Sequence, residues 1–140
     1  MAKGIRVERV DFVSVPTRDP AAARRFYGEL LGIHESTSPE DPFPEFETSN
    51  VTLGVFQPER VGRPFVPAAG IAIRVADVAE ARRTLEEAGV AFQGETLDTG
   101  VCHMAFCSDF DGNGVIVHRR YASPRPDGAS HADREALEQV

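Results

Sequence analysis

A seven-residue signature occurs twice in this chain. Asp19-x-Ala21-x-Ala23-Arg24-Arg25 returns as Asp77-x-Ala79-x-Ala81-Arg82-Arg83, each copy following an alternating apolar run and preceding a glycine and a branched residue, Gly32-Ile33 and Gly89-Val90. A duplicated signal leaves few architectures open, because two like halves are expected to fold alike and to build one pseudo-symmetric site between them. At 140 residues, 41% hydrophobic and 26% charged, the chain has the size and apolar content of one ordinary domain with a real core. The expected organisation is a single domain over 1–121, with halves at about 7–56 and 70–121, a linker at 57–69 and a polar tail at 122–140.

Each half reads as β-α-β-β-β. Val7 to Val15 alternates, with Val13 and Val15 on one face and Phe12 and Ser14 on the other. Asp19 is placed to cap a helix and Pro20 sits where a missing N–H costs nothing, with Ala23, Phe26, Tyr27 and Leu30 at helical spacing before Gly32. Ile33 to Ser36, Glu45 to Thr48 and Val51 to Phe56 follow as strands. Gln57 to Ala69, with Pro58, Gly62, Pro64 and Pro67, reads as a linker without an element. In the second half, Gly70 to Val75 reads as a strand and Asp77-Val78-Ala79-Glu80 as a capping-box helix start. Val90 to Gln93, Val101 to Phe106 and Gly114 to Arg119 then read as strands, the last after an Asp109-Phe110-Asp111-Gly112-Asn113 turn. His131 to Gln139 has a composition suited to a short helix on a partner surface.

The net charge of −7, with no basic run to offset it, argues against nucleic acid and anionic membrane surfaces and leaves a small organic ligand as the expected partner. Cys102 and Cys107 lie five positions apart in one strand, so their side chains point to opposite faces and no intrachain disulfide is expected. No stretch has the length to span a bilayer and Met1 to Arg6 lacks an apolar signal core, so the expected location is cytoplasmic.

The paired β-α-β-β-β halves, Phe26-Tyr27-x-x-Leu30-Leu31-Gly32 at the end of the first helix and the late Asp109-x-Asp111-Gly112-Asn113 turn resemble the vicinal oxygen chelate superfamily. Its members include glyoxalase I, extradiol dioxygenases and the fosfomycin- and bleomycin-resistance proteins. The resemblance implies an α+β fold in which two tandem modules form a pseudo-symmetric half-barrel cleft, and a homodimer. It also implies metal ligands from the first and last strand of each half. Carried onto this sequence, those positions fall on Phe12, Leu53 or Gly54, Gly70 and Ile116. None has a side-chain lone pair to offer a divalent cation, so no metal is expected at the usual place.

Other residues remain open to chemistry. Phe12, Ser14, Phe56, His103, Ile116 and His118 are the expected cleft residues, with Phe106 or Met104 extending an apolar wall. His103 and His118 lie on neighbouring strands, and facing each other across an antiparallel ladder with a carboxylate such as Glu47 they would make a relocated metal site or supply a general base. The plainer reading makes both histidines structural or ligand-contacting. Cys102 as a nucleophile, and Arg119 and Arg120 as anion ligands, have plain readings as a buried thiol and solvated charges. Arg24, Arg25, Arg82 and Arg83 read as a solvated outer helix face. Asp109 to Gly114 imitates the start of a calcium loop, but the twelfth position is Arg120 and the flanks read as strands, so a tight turn is expected.

Two functions from different classes follow. One is a metal-independent protein, without a cofactor, that binds a small, partly apolar organic molecule. The alternative is a metal-dependent lyase, isomerase or dioxygenase with one divalent ion relocated to His103 and His118. An interaction module using the Pro-rich linker and the tail is a third.

Overall fold

The computed structural model describes Gly4–Ser123; the helix expected over His131 to Gln139 lies outside the described residues. Contacts divide the chain into two compact units, Met1–Val66 and Pro67–Val140, with the break inside the segment 57–69.

The first unit runs β1 (Val13–Pro16), α1 (Pro20–Ala23) continuing as a π-helical stretch (Arg24–Leu30), β2 (His34–Glu35), β3 (Glu45–Glu47) and β4 (Thr52–Phe56). The second runs β5 (Ile71–Arg74), α2 (Val78–Glu87), β6 (Phe92–Asp98), β7 (Cys102–Ser108) and β8 (Gly114–Arg120). Both sheets have the same order, β1-β4-β3-β2 and β5-β8-β7-β6. In each, the first strand lies parallel to the last and the other neighbours are antiparallel. The duplicated signature thus reports a duplicated α+β topology.

Both helices start as their residues dictate. Asp19 accepts a hydrogen bond from the Ala21 N–H with Pro20 in the first turn, and Asp77 accepts one from the Glu80 N–H. The first strand is shorter than its alternation suggests. Val13 pairs with Leu53 near the start of β4, and Gly4 to Phe12 form no ladder, so the expected strand over Val7 to Val15 is realised only at its end. Ile5, Val7 and Val10 consequently stand exposed. The segment 57–69 is not featureless either, since a 3₁₀ turn spans Pro58–Val61 and ends on Gly62 in the left-handed conformation, with φ 73°. The Arg18 guanidinium lies 3.7 Å from the Phe65 ring centroid, tying the end of that segment to the first unit.

Alternation decides which face of each sheet is core. In the first unit Val15, Phe46, Leu53 and Val55 share one face and are buried, as are Ala23, Phe26 and Tyr27 of the helical segment. Tyr27 approaches Phe46 with ring centroids 6.0 Å apart, and each such burial is worth about 1.5–3 kcal/mol. In the second unit Ala105, Cys107, Val115 and Val117 share the buried face, and α2 contributes Val78 and Leu85 to the core. Cys102 and Cys107 are both free and buried on opposite faces of β7.

The repeated arginines correct an expectation. Arg25 and Arg83 are exposed, but Arg24 and Arg82, at equivalent places in the two copies, reach across to the segment after their helix. Arg24 binds both carboxylate oxygens of Glu35 and the carbonyls of Ser38 and Asp41 at 2.8–3.2 Å. Arg82 donates to the Gly94 carbonyl at 2.9 Å and to Thr96 Oγ1 at 3.2 Å, and lies over the Phe92 ring at 4.8 Å. It thereby grips the irregularity between Gln93 and Leu97, which lets β6 run to Asp98, well past the expected end at Gln93. Helix periodicity places a residue on a face but does not say what a long side chain can reach.

The Arg24 hydrogen bonds hold the Glu35 carboxyl below the usual carboxylate range. A depressed folded pKa stabilises above the unfolded value, about 4.3, and the gain disappears as pH falls through the folded value. Glu35→Gln is therefore expected to cost about 1–2 kcal/mol near neutral pH. In urea titrations the gap to the parent protein should begin to narrow as pH falls below about 5 and go on narrowing as pH drops through the depressed folded value. A gap independent of pH would contradict this.

Candidate functional site

The face of the first sheet turned away from its helical segment carries Ser14, Glu45, Glu47, Thr52, Gly54 and Phe56, by the same alternation that buries their neighbours. On it lies a recess of about 240 Å³ lined by Phe12, Ser14, Phe43, Glu45, Gly54, Val55 and Phe56. Three of the expected cleft residues, Phe12, Ser14 and Phe56, come together here. The volume falls below the roughly 300–1,000 Å³ of sites that enclose a drug-sized ligand, so it suits one ring or one apolar group.

Position 54 has the geometry that makes the recess. Gly54 pairs with Ser14 in the parallel ladder, and Phe12 immediately precedes β1. A Cβ added at Gly54 would stand 3.0 Å from Cδ2 of Phe12 and 3.5 Å from its Cγ and Cε2, so the ring leans over the bare backbone of β4. Phe12 and Gly54, one of the two residues (Leu53 or Gly54) on which the resemblance's second ligand position falls in this half, thus meet as a phenyl ring on a glycine.

The two carboxylates of β3 on this face differ. Glu47 accepts from Ser36 Oγ at 2.6 Å and Thr52 Oγ1 at 2.5 Å, with His34 opposite it on β2. Those two hydroxyls hold its carboxyl below the usual range. Glu45 faces the recess, and among the described residues its carboxylate has no ion pair or hydrogen-bond donor.

The second unit places the remaining expected residues differently. Ile116 pairs with Phe106 and His118 with Met104, so these four share one face. His103 pairs with Arg119 and points to the other. The expectation that His103 and His118 face each other across the ladder is thereby corrected: the register offsets them by one residue, and a strand's side chains alternate. Gly70, at the first-strand position, immediately precedes β5 with a positive φ of 150°, and Ala72 rather than Gly70 pairs with Ile116.

His103 has instead a local set of partners. Its Nε2 lies 3.4 Å from Asp98 Oδ2, and its ring stacks on Tyr121 with centroids 4.7 Å apart. Tyr121 Oη donates to Asp98 Oδ1 at 2.8 Å, and the Gly100 N–H donates to the same oxygen at 2.9 Å. The Gly100 N–H first and the Tyr121 hydroxyl second lower the Asp98 carboxyl, while Asp98 raises the Tyr121 phenol. Burial pushes the Cys107 thiol up to about 11, the state of an inert cysteine.

The Asp109 turn is held by its own residues. The Asp109 carboxylate accepts from the N–H groups of Asp111 and Asn113, both at 2.9 Å, and from Asn113 Nδ2 at 2.8 Å. Among the described residues no group of three or more His, Cys, Asp or Glu side chains is placed to hold a metal ion. The side chains at Phe12, Leu53, Gly54, Gly70 and Ile116 supply none of the donors that vicinal oxygen chelate chemistry needs.

Sequence reading missed Phe43 and Glu45. Glu45 was accessible in principle, because β3 alternates Glu45, Phe46, Glu47 and burying Phe46 turns both glutamates to the open face. Phe43 follows Pro42 in an irregular segment and carries no periodic signal.

Comparison with known proteins agrees with this topology. The model of the Glyoxalase/Bleomycin resistance protein/Dioxygenase superfamily matches residues 9–117, most of the chain. The chain belongs to this superfamily. Similar solved structures share its fold at low identity. An antibiotic binding protein from a Streptomyces species is 24% identical, with a TM-score of 0.67 over 84% of this chain and 99% of its own. Lactoylglutathione lyase from Agrobacterium tumefaciens is 17% identical, with a TM-score of 0.67 over 81% and 94%. A glyoxalase/dioxygenase from Nostoc punctiforme is 19% identical, with a TM-score of 0.67 over 89% and 100%. No curated protein matches. Among the described residues no helix is long and apolar enough to cross a membrane.

Proposed function

We propose that this superfamily member binds a small, partly apolar organic molecule without a metal, with the recess on the first sheet as its ligand site. The observation that carries this reading is the Phe12 ring lying over Gly54, at positions where the resemblance to superfamily enzymes implies metal ligands (Phe12, and Leu53 or Gly54). Phe12, Phe43 and Phe56 offer apolar surface, while Ser14 and Glu45 supply the few polar groups that orient a guest. The similarity to an antibiotic binding protein is compatible with sequestration as the biological purpose. The reading further places the protein in the cytoplasm as a homodimer. Ile5, Val7 and Val10, each exposed in the segment before β1, support the dimer, since exposed apolar surface favours association.

The metal-dependent alternative finds no support in the register, because His103 and His118 occupy opposite faces of one sheet. A fragment screen of the chelator-treated protein, followed by elemental mass spectrometry of untreated material, separates the two. Aromatic fragments are expected to bind equally well before and after chelation. Binding or turnover that returns only when a divalent metal is restored would contradict the proposal.

A further inference from the structure

The recess has one charged group, and it is acidic. Resting on the reading above that this recess is the ligand site, we propose that its preferred ligands are organic cations, in particular an ammonium or amidinium group carried on an aromatic or branched apolar body.

Three observations point the same way. The lining includes the rings of Phe12, Phe43 and Phe56, and the negative face of a benzene ring attracts a cation within about 6 Å of its centroid. Glu45 is the only ionisable residue in the lining. Its neighbour two places along, Glu47, has its charge met by Ser36 and Thr52, whereas Glu45 has no such partner among the described residues. A guest ammonium would supply the missing counter-charge and exchange part of its hydration for ring faces. An anionic guest would meet the Glu45 carboxylate in a site with no basic residue, in a chain of net charge −7. A neutral guest would gain the apolar contact alone.

The test uses full-length, isotopically labelled protein and two probes of nearly the same shape, benzyltrimethylammonium and its uncharged counterpart neopentylbenzene. Titrations are followed at the backbone amides of Ser14, Gly54 and Phe56. The cation is expected to bind about five- to tenfold more tightly than the neutral probe. Glu45→Gln should cut that preference to about twofold or less, the share left to the aromatic rings, by weakening binding of the cation. Because Glu45 is exposed, the variant is expected to fold, and its unperturbed amide spectrum checks this. Equal affinities for the two probes, or a preference that Glu45→Gln leaves undiminished, would overturn the cation proposal and leave the recess as a ligand site. Failure of both probes to shift these amides would overturn the site reading itself.

Discussion

Gly114→Ala is expected to lower stability by about 3 kcal/mol, among the largest single effects available in this chain. Gly114 opens β8, and its N–H donates to the Ala68 carbonyl at 3.1 Å. A Cβ there would collide with the Ala69 carbonyl oxygen and come within 3.2 Å of Gly70 Cα. Both obstacles are backbone. They are held in place because buried Asn113 accepts from the Ala68 N–H at 2.7 Å while its amide is tied to Asp109. Relieving the clash therefore means releasing a buried, hydrogen-bonded side chain, which adds the cost of leaving polar groups unmet. Urea unfolding followed by circular dichroism measures the loss; a variant within about 0.5 kcal/mol of the parent would show that the close approach of 68–70 to β8 is not maintained.

Gly54→Leu should produce the opposite separation of effects. Its nearest obstacle is the half-exposed Phe12 side chain rather than backbone, so stability should change by no more than about 1 kcal/mol. The leucine side chain would occupy the recess, and ligands that bind there are expected to lose affinity by about a hundredfold or more. The same kind of glycine thus gives a folding defect in β8 and a binding defect in β4, according to whether backbone or an exposed ring faces it. Calorimetric titration with any ligand found for the parent protein reads the second effect. Retained affinity in Gly54→Leu would move the ligand site elsewhere.

Topology was legible because it is written twice. Two capped helices, each followed by glycine and then alternating runs, require β-α-β-β-β halves, and the ladders show that plan in both units. The face assignments of Val13, Ser14 and Val15 also hold, since alternation is local. What sequence could not supply was register and reach. One residue of offset between β7 and β8 separates His103 from His118, and no local pattern encodes which cross-strand partner a residue receives. Arg24 and Arg82 looked like solvent-facing charges because helical spacing ignores the length of an arginine. The shortening of β1 came from the pairing that begins at Val13 and Leu53, a property of two strands together. The removal of chelating side chains, by contrast, is readable directly from Phe12, Gly54, Gly70 and Ile116, because no geometry gives those side chains a lone pair.

Binding of an organic guest on the open face of the first sheet, without a metal, underlies everything proposed for this protein. It is tested most directly by mapping amide shift changes across the labelled, chelator-treated protein as a small aromatic fragment is added. The shifts are expected to concentrate at Phe12, Ser14, Phe43, Gly54, Val55 and Phe56. Shifts centred on His103 or His118, or shifts that appear only after a divalent metal is returned, would contradict it.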